Sequence, residues 1–162
     1  MRQLPVIQSE LEMIMQFGLG EIEGDQDAFI DIQTGEIVTV WESDEDCALT
    51  LNKEPDANAR RREAVQADPD RYASIPQMDT LDHNEMMRKF VRSNWTDDQA
   101  LRDKAFDAYH GSIGQWKHNI DHDADILRAW HQFEENWAHR CAIEFLAEHG
   151  VEPIVKGAPG AP

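Results

Sequence analysis

The feature that most constrains the fold is an apolar stripe in the last third of the chain. Large apolar side chains recur there at steps of three and four residues, at Ile126, Trp130, Phe133, Trp137, Cys141 and Phe145. This spacing matches the helical period and predicts one long helix with a buried face, ended by Gly150. We interpret its aromatic residues as core and not as a platform for stacking ligands.

The first third of the chain predicts a short helix followed by a β-hairpin. In "VIQSELEMIMQF" the apolar residues that share one helical face are Ile7, Leu11, Ile14 and Met15. Gly18 and Gly20 end this helix. In "AFIDIQTGEIVTVW", strand-forming residues flank a "QTGE" turn in which Gly35 is free to take a positive φ. The side chains of Asp31 and Glu36 are expected to point outward, on the wet face of the hairpin.

The remainder of the chain predicts helices and one further short strand. "PDANARRREAVQAD" and "LDHNEMMRKFVRSN" carry helical patterns, and "RYASIP" is typical of a short strand closed by Pro76. A capping box, "TDDQ" at 96–99, predicts the start of another helix with Thr96 as its N-cap. That helix is expected to pack through Leu101, Ala105 and Phe106.

Together these elements predict an α+β fold, with an N-terminal helix and a small antiparallel β-hairpin sheet packed on a mostly helical C-terminal part. A chain of 162 residues is typical of a single domain. We place that domain at residues 1–154. Residues 155–162 are expected to form a flexible Pro/Gly tail.

The charge of the chain is concentrated near its beginning. The formal net charge is −17, and the fifty residues between Arg2 and Lys53 contain no Lys and no Arg. Residues 1–52 hold twelve acids and one base, Arg2, so they account for −11 of the total. Such a surface repels nucleic acid and anionic membranes, and it attracts basic protein surfaces.

This asymmetry leads to the hypothesis of a non-enzymatic acidic binding protein that needs no cofactor. Its anionic face would engage a basic, nucleic-acid-binding protein by imitating a phosphate backbone, as a phage anti-restriction or anti-CRISPR inhibitor would. The carboxylates assigned to this face are Glu21, Glu23, Asp25, Asp27, Asp31, Glu36, Glu42, Asp44, Glu45 and Asp46. Trp41, beside the acidic stretch, is a candidate binding anchor.

Two alternatives remain open. His118 and His122 in "HNIDH" stand four apart with Asp121 between them, a helical spacing that can present two imidazoles to one metal ion in a hydrolase. Third ligands would come from His110, His131 or His139. The same segment also fits a helix start in which Asp121 or Asp123 is the N-cap. The other alternative is a housekeeping regulator whose acidity is incidental.

Several signals of other classes are missing from the sequence. There is no phosphate-binding glycine loop, dinucleotide fingerprint or nucleophile elbow. Cys47 is preceded by three acids, which disfavour a thiolate. The first residues lack the apolar core of a signal peptide, and no stretch approaches the length of a membrane span. We therefore expect a cytoplasmic protein with no membrane partner and no direct nucleic-acid binding.

Four short motifs, taken in order, resemble those of a bacterial uncharacterised protein family, UPF0158. They are "TGE" at 34–36, "RYxxIP" at 71–76, a segment at 111–117 similar to "GAFRRFK", and a Trp-x-x-Phe pair at 130 and 133. The resemblance runs from about residue 7 to 153 and implies a small mixed α/β fold without a settled chemistry. Gly114 and Gln115 stand where the family pattern has two arginines. If those arginines contact an anion in relatives, this chain has lost that contact.

Overall fold

The structure, a computed structural model, divides the chain into two compact units. One unit combines Met1–Gln77 with Cys141–Pro162, and the other is Met78–Arg140, so the boundary falls within the last helix. The residues that the structure describes are 1–17, 26–44, 55–109, 113–120 and 122–154. The predicted tail at 155–162 therefore lies outside the described residues.

The first unit contains two small sheets and two complete helices among its described residues. Its elements are β1 (Arg2–Leu4), α1 (Gln8–Phe17), β2 (Gln26–Asp31), β3 (Ile37–Trp41), α2 (Pro55–Ala67), β4 (Tyr72–Ser74) and β5 (Val151–Pro153). The strands β3-β2-β4 form an antiparallel sheet in that order, and β1 pairs with β5 in parallel. The predicted N-terminal helix, hairpin and short strand are confirmed. The β1–β5 pair was not predicted, because three-residue strands carry no readable alternation.

The core of the first unit is built by α1, the antiparallel sheet and the end of the last helix. Its buried members include Leu11, Ile14, Met15, Ala28, Ile30, Phe145, Leu146 and Val151. Ile7 was predicted to share the buried face of α1, but it lies before the helix begins and is 62% exposed. The helical period therefore predicted the packing only for residues within the helix.

The hairpin turn confirms the expectation for Gly35, whose φ is +82°. The N–H of Asp31 donates to Glu36 O at 2.9 Å, and the N–H of Gly35 donates to Asp31 O at 2.7 Å. A Cβ atom at position 35 would lie 3.1 Å from Leu4 Cβ. The turn therefore needs glycine both for its backbone conformation and for the close approach of the segment after β1.

Substituting Gly35→Ala should lower the free energy of unfolding by about 2 kcal/mol, since it adds a left-handed-region penalty to a crowded contact. Gly150→Ala is the matched control, because Gly150 has φ +69° but no atom within 4 Å of the position that its new methyl group would take. We expect that control to lose only about 1 kcal/mol. Urea unfolding followed by circular dichroism measures both, and equal losses would show that the contact with Leu4 carries no cost.

The secondary-structure elements described in the second unit are all helices. It contains α3 (Thr80–Arg92), α4 (Gln99–Asp107), α5 (Ile113–Asn119) and the first part of α6 (Ala124–Glu148). Its core is aromatic: the ring centroids of Phe90, Trp116 and Trp130 lie 5.3–5.8 Å apart. The long final helix and the assignment of its aromatic stripe to the core are both confirmed.

Two details of α4 differ from the sequence-based expectation. Its N-cap is Asp98, whose carboxylate accepts from the N–H of Leu101, while Thr96 only accepts from the N–H of Asp98. Asp is at least as good an N-cap as Thr, so candidates two positions apart cannot be separated by residue type alone. Phe106 is 53% exposed, and α4 packs through Ala105 and the half-buried Leu101.

Candidate functional site

A cleft of about 440 Å³ lies in the first unit beside the antiparallel sheet and α2. Its lining residues are Asp27, Phe29, Val40, Trp41, Glu42, Arg62, Val65 and Gln66. The side chains come from β2, the end of β3 and the residue after it, and the second half of α2. The cleft is therefore formed by elements that are far apart in sequence.

The register of the hairpin explains why these side chains meet. Asp27 pairs with Val40 and Phe29 pairs with Val38, so these four residues project from the same face of the sheet. Glu42 lies in the bend directly after β3, and it lines the same cleft as Asp27.

The cleft combines an apolar floor with an acidic rim. Phe29 and Val65 are half-buried and Val40 is buried, whereas Asp27 and Glu42 are exposed. A long cationic side chain fits this arrangement, because its methylene stem can lie on apolar surface while its charged head reaches the carboxylates. Asp27 and Glu42, two members of the predicted acidic face, therefore lie at the rim of this cleft.

Asn58 on α2 anchors the end of β3 beside the cleft. Its side-chain oxygen accepts from the N–H of Trp41 at 2.8 Å, and its amide nitrogen donates to Trp41 O at 3.0 Å. The same nitrogen donates to Asp44 Oδ1 at 2.6 Å. Asn58 is fully buried, so its two bonds to the backbone of Trp41 are made in a place that water does not reach.

Arg62, one helical turn after Asn58, closes the network. It donates to Asp44 Oδ1 at 2.8 Å, to Trp41 O at 2.8 Å and to Glu42 O at 3.1 Å. Hydrogen bonds from Arg62 and then from Asn58 lower the pKa of Asp44 below its ordinary value. The basic cluster "ARRRE" thus contributes Arg62 to an internal ion pair with the acidic segment beside it.

Asp31 lies on the same sheet face but is buried, with 3% of its surface exposed. Its Oδ2 accepts from Nε and Nη2 of Arg71 at 3.0 and 2.5 Å, and its Oδ1 accepts from the N–H of Gln33 at 2.8 Å. The bonds from Arg71, opposed by burial and assisted by Gln33, lower the pKa of Asp31 to about 2. This carboxylate holds the hairpin turn to the segment before β4.

The prediction that the carboxylates of the acidic face are exposed is therefore only partly correct. Asp27, Glu36 and Glu42 are exposed as predicted. The predicted exposure of Asp31 was wrong, because its carboxylate is buried in the ion pair with Arg71. Trp41 is also not an exposed anchor, since only 1% of its surface is accessible. The predicted residues that lie outside the described residues are Glu21, Glu23, Asp25, Glu45 and Asp46, together with Cys47.

Sequence reasoning missed the polar network behind the cleft. Asn58 and Arg62 stand four apart on a helix that was predicted, so their shared face was readable from the sequence. Their target was not readable, because it is the backbone of Trp41, seventeen and twenty-one residues away. The apolar floor was missed for the same reason, since Val65 meets the sheet only in the folded unit.

The histidine segment does not keep the geometry of the metal hypothesis. Helix α5 ends at Asn119, so His118 lies on it and His122 lies after it, and both are exposed. Asp121 and His110 lie outside the described residues, and no potential metal cluster of three His, Cys, Asp or Glu side chains occurs within the described ones. Asp123 instead caps α6, accepting from the N–H of Ile126 at 3.1 Å.

Comparison with known protein families identifies the family of this chain. A profile of the uncharacterised protein family UPF0158 matches residues 3–158, nearly the whole length. The chain belongs to UPF0158. No curated protein and no solved structure matches it. Within the described ranges, no helix combines the length and the hydrophobicity needed to cross a lipid bilayer.

The motifs that indicated UPF0158 have structural roles in this chain. "TGE" forms the hairpin turn, and Arg71 of "RYxxIP" makes the ion pair with Asp31. Trp116, in the third motif, is buried and donates its indole N–H to Ala105 O at 2.9 Å. Gly114 and Gln115, in the same motif, are exposed on α5.

Proposed function

We propose that this member of UPF0158 is a non-enzymatic acidic binding protein whose first unit engages a basic protein partner through the cleft between the sheet and α2. The observation that carries the proposal is the pairing of two exposed carboxylates, Asp27 and Glu42, with an apolar floor. The apolar floor suits the methylene stem of a Lys or Arg side chain, and the two carboxylates suit its charged head. Asp31 and Trp41 are not part of the proposed contact surface, because both are buried.

The overall charge supports a partner that ordinarily holds nucleic acid. The net charge of −17, with −11 in residues 1–52, steers the protein toward basic surfaces and away from phosphate. A basic groove built for a phosphate backbone offers many Lys and Arg side chains at once. Occupying such a groove would inhibit the partner sterically, as a DNA-mimicking inhibitor of a phage defence nuclease does. This attraction requires no cofactor and no catalysis.

A paired substitution tests the cleft. Asp27→Asn with Glu42→Gln should weaken binding of a fluorescent lysine-rich peptide about tenfold, since two charge contacts are removed. Glu63→Gln with Glu144→Gln is the matched control, because it removes the same charge from exposed positions of the same unit that do not line the cleft. Fluorescence anisotropy at two salt concentrations measures all three proteins, and the control should bind like the parent.

The class of partner is tested by capture from bacterial lysate with and without added duplex DNA. We expect the parent protein to retain nucleic-acid-binding proteins that duplex DNA and salt displace, and the cleft variant to retain fewer of them.

In the peptide experiment, the control variant with Glu63→Gln and Glu144→Gln could bind as weakly as the cleft variant. That result would mean that net charge alone drives binding, and it would remove the cleft from the proposal. Retained proteins that DNA does not displace would contradict the imitation of a phosphate backbone.

A further inference from the structure

Strand β3 has one edge that no other strand covers in the described part of the chain. In the sheet order β3-β2-β4, it is hydrogen-bonded to β2 alone. The N–H of Asp31 donates to Glu36 O at 2.9 Å, which fixes which residues of β3 face β2. Because antiparallel pairs alternate, the backbone groups of Ile37, Thr39 and Trp41 point to the open edge.

Two other hydrogen bonds agree with this alternation. The N–H of Ile75 donates to Ala28 O at 2.8 Å, so Ala28 bonds toward β4 and not toward Thr39, its cross-strand partner. The N–H of Trp41 donates to the side chain of Asn58, which lies on the open side. The outward direction of Thr39 therefore follows from bonds on both edges of the sheet.

Asn58 shows that this edge accepts a peptide-like group. Its carboxamide offers one acceptor and one donor to Trp41, as the backbone of a neighbouring strand would. The same pairing does not continue along the edge, since neither the N–H nor the C=O of Ile37 or Thr39 has an outward hydrogen bond within the described residues. Native proteins usually cover or blunt such an edge.

We propose that the edge of β3 from Ile37 to Thr39 binds a short extended segment of the basic partner, which adds a strand to the sheet. This inference rests on the proposed function and names its binding mode. The segment would donate to and accept from the backbone of Ile37 and Thr39 and would end where Asn58 occupies the edge. Main-chain hydrogen bonds then provide affinity, and the flanking side chains select the sequence.

The charges around the edge specify a basic segment. At the Ile37 end, Glu10 and Glu36 line a groove of about 360 Å³. At the Trp41 end, Asp27, Glu42 and Arg62 line the cleft described above, and the charge of Arg62 is offset by its ion pair with Asp44. Between the two lie the half-buried side chains of β3. A complementary segment therefore has basic residues at both ends and β-branched residues in the middle, where they fit a pleated surface.

Two peptides of equal charge separate strand addition from simple charge attraction. The first is Lys-Lys-Val-Thr-Val-Lys-Lys with blocked ends, and the second is the same peptide with methyl groups on the three central backbone nitrogens. Methylation removes the donors that a strand needs and leaves every charge in place. We expect the methylated peptide to bind about tenfold more weakly to the unmodified protein in fluorescence anisotropy.

A pair of variants tests the same edge from the protein side. Thr39→Pro removes the outward N–H without removing a bond to β2, as proline is tolerated on strand edges. Thr39→Val keeps that N–H and is its control. After circular dichroism has verified that both are folded, Thr39→Pro should bind the unmethylated peptide about tenfold more weakly, while Thr39→Val should bind it like the parent.

The possible outcomes distinguish this inference from the proposed function. Equal affinity for the two peptides would overturn strand addition while leaving a basic partner at the acidic cleft. Equal affinity of the parent and a folded Thr39→Pro variant would overturn it as well. Failure of the protein to bind any lysine-rich peptide at low salt would overturn the proposed function and the strand inference together.

Discussion

Substituting Asn58→Ala should lower the free energy of unfolding by about 3 kcal/mol, because a buried hydrogen-bonding side chain is lost. The N–H of Trp41 would lose its partner, while Trp41 O would still accept from Arg62 at 2.8 Å. An unsatisfied buried donor costs about 1–3 kcal/mol, and the cavity left by the carboxamide adds to it. The exposed Asn94→Ala in the other unit is the matched control and should change stability by less than about 0.5 kcal/mol.

Amide exchange gives a local readout of the same substitution. The backbone N–H of Trp41 should exchange faster in Asn58→Ala than in the parent, since its acceptor is gone. Asn58→Asp keeps the shape but replaces the donor to Asp44 Oδ1 with a second carboxylate, so we expect it to be at least as destabilising as alanine. A stable Asn58→Ala variant with a protected Trp41 amide would show that α2 does not hold the end of β3 in this way.

Substituting Asp31→Asn should lower the free energy of unfolding by about 2 kcal/mol at neutral pH. Asparagine keeps an acceptor for Gln33 but loses the charge that Arg71 engages. The pKa of Asp31 falls from 3.8 to about 2 in the folded protein, and such a difference corresponds to about 2 kcal/mol in favour of folding. The exposed Asp70→Asn, in the turn between α2 and β4, is the control and should leave stability unchanged.

The sign of this linkage sets a pH window. Because the folded pKa is depressed, the stabilisation is fully present above the ordinary pKa of 3.8 and is lost as the pH falls through about 2. The parent should therefore lose its advantage over Asp31→Asn between about pH 4 and pH 2. Denaturant unfolding of both proteins at pH 7, 4 and 2.5 measures this difference in the free energy of unfolding. A stability difference that stays constant over that range would contradict an ionised, buried Asp31.

Local pattern was sufficient for most of the secondary structure. The step of three and four in the last helix, the "QTGE" turn and the glycine at 150 each depend on residues close in sequence, and each was confirmed. The parallel pairing of β1 with β5 depends on residues about 149 positions apart, and neither strand exceeds three residues. A strand that short has no period to read, so only the folded unit reveals it.

The sequence predicted the negative charge of the candidate site but not the arrangement of its residues. The excess of carboxylates in residues 1–52 follows from composition, and it selected Asp27, Glu36 and Glu42 correctly as exposed. The same reasoning placed Asp31 and Trp41 on the surface, where they are not. A count of charges cannot see that an arginine forty positions later in sequence will neutralise one carboxylate.

By itself, the sequence determined the α+β class, the family, the aromatic core of the final helix and the acidity of the first third. Only the tertiary structure decided which acids remain exposed, that α2 closes one end of β3, and that no other strand among the described residues pairs with the rest of that edge. The physical reason is range. Helical periodicity, turn chemistry and net charge act through neighbouring residues, whereas burial, ion pairing and edge pairing depend on groups that folding brings together from distant parts of the chain.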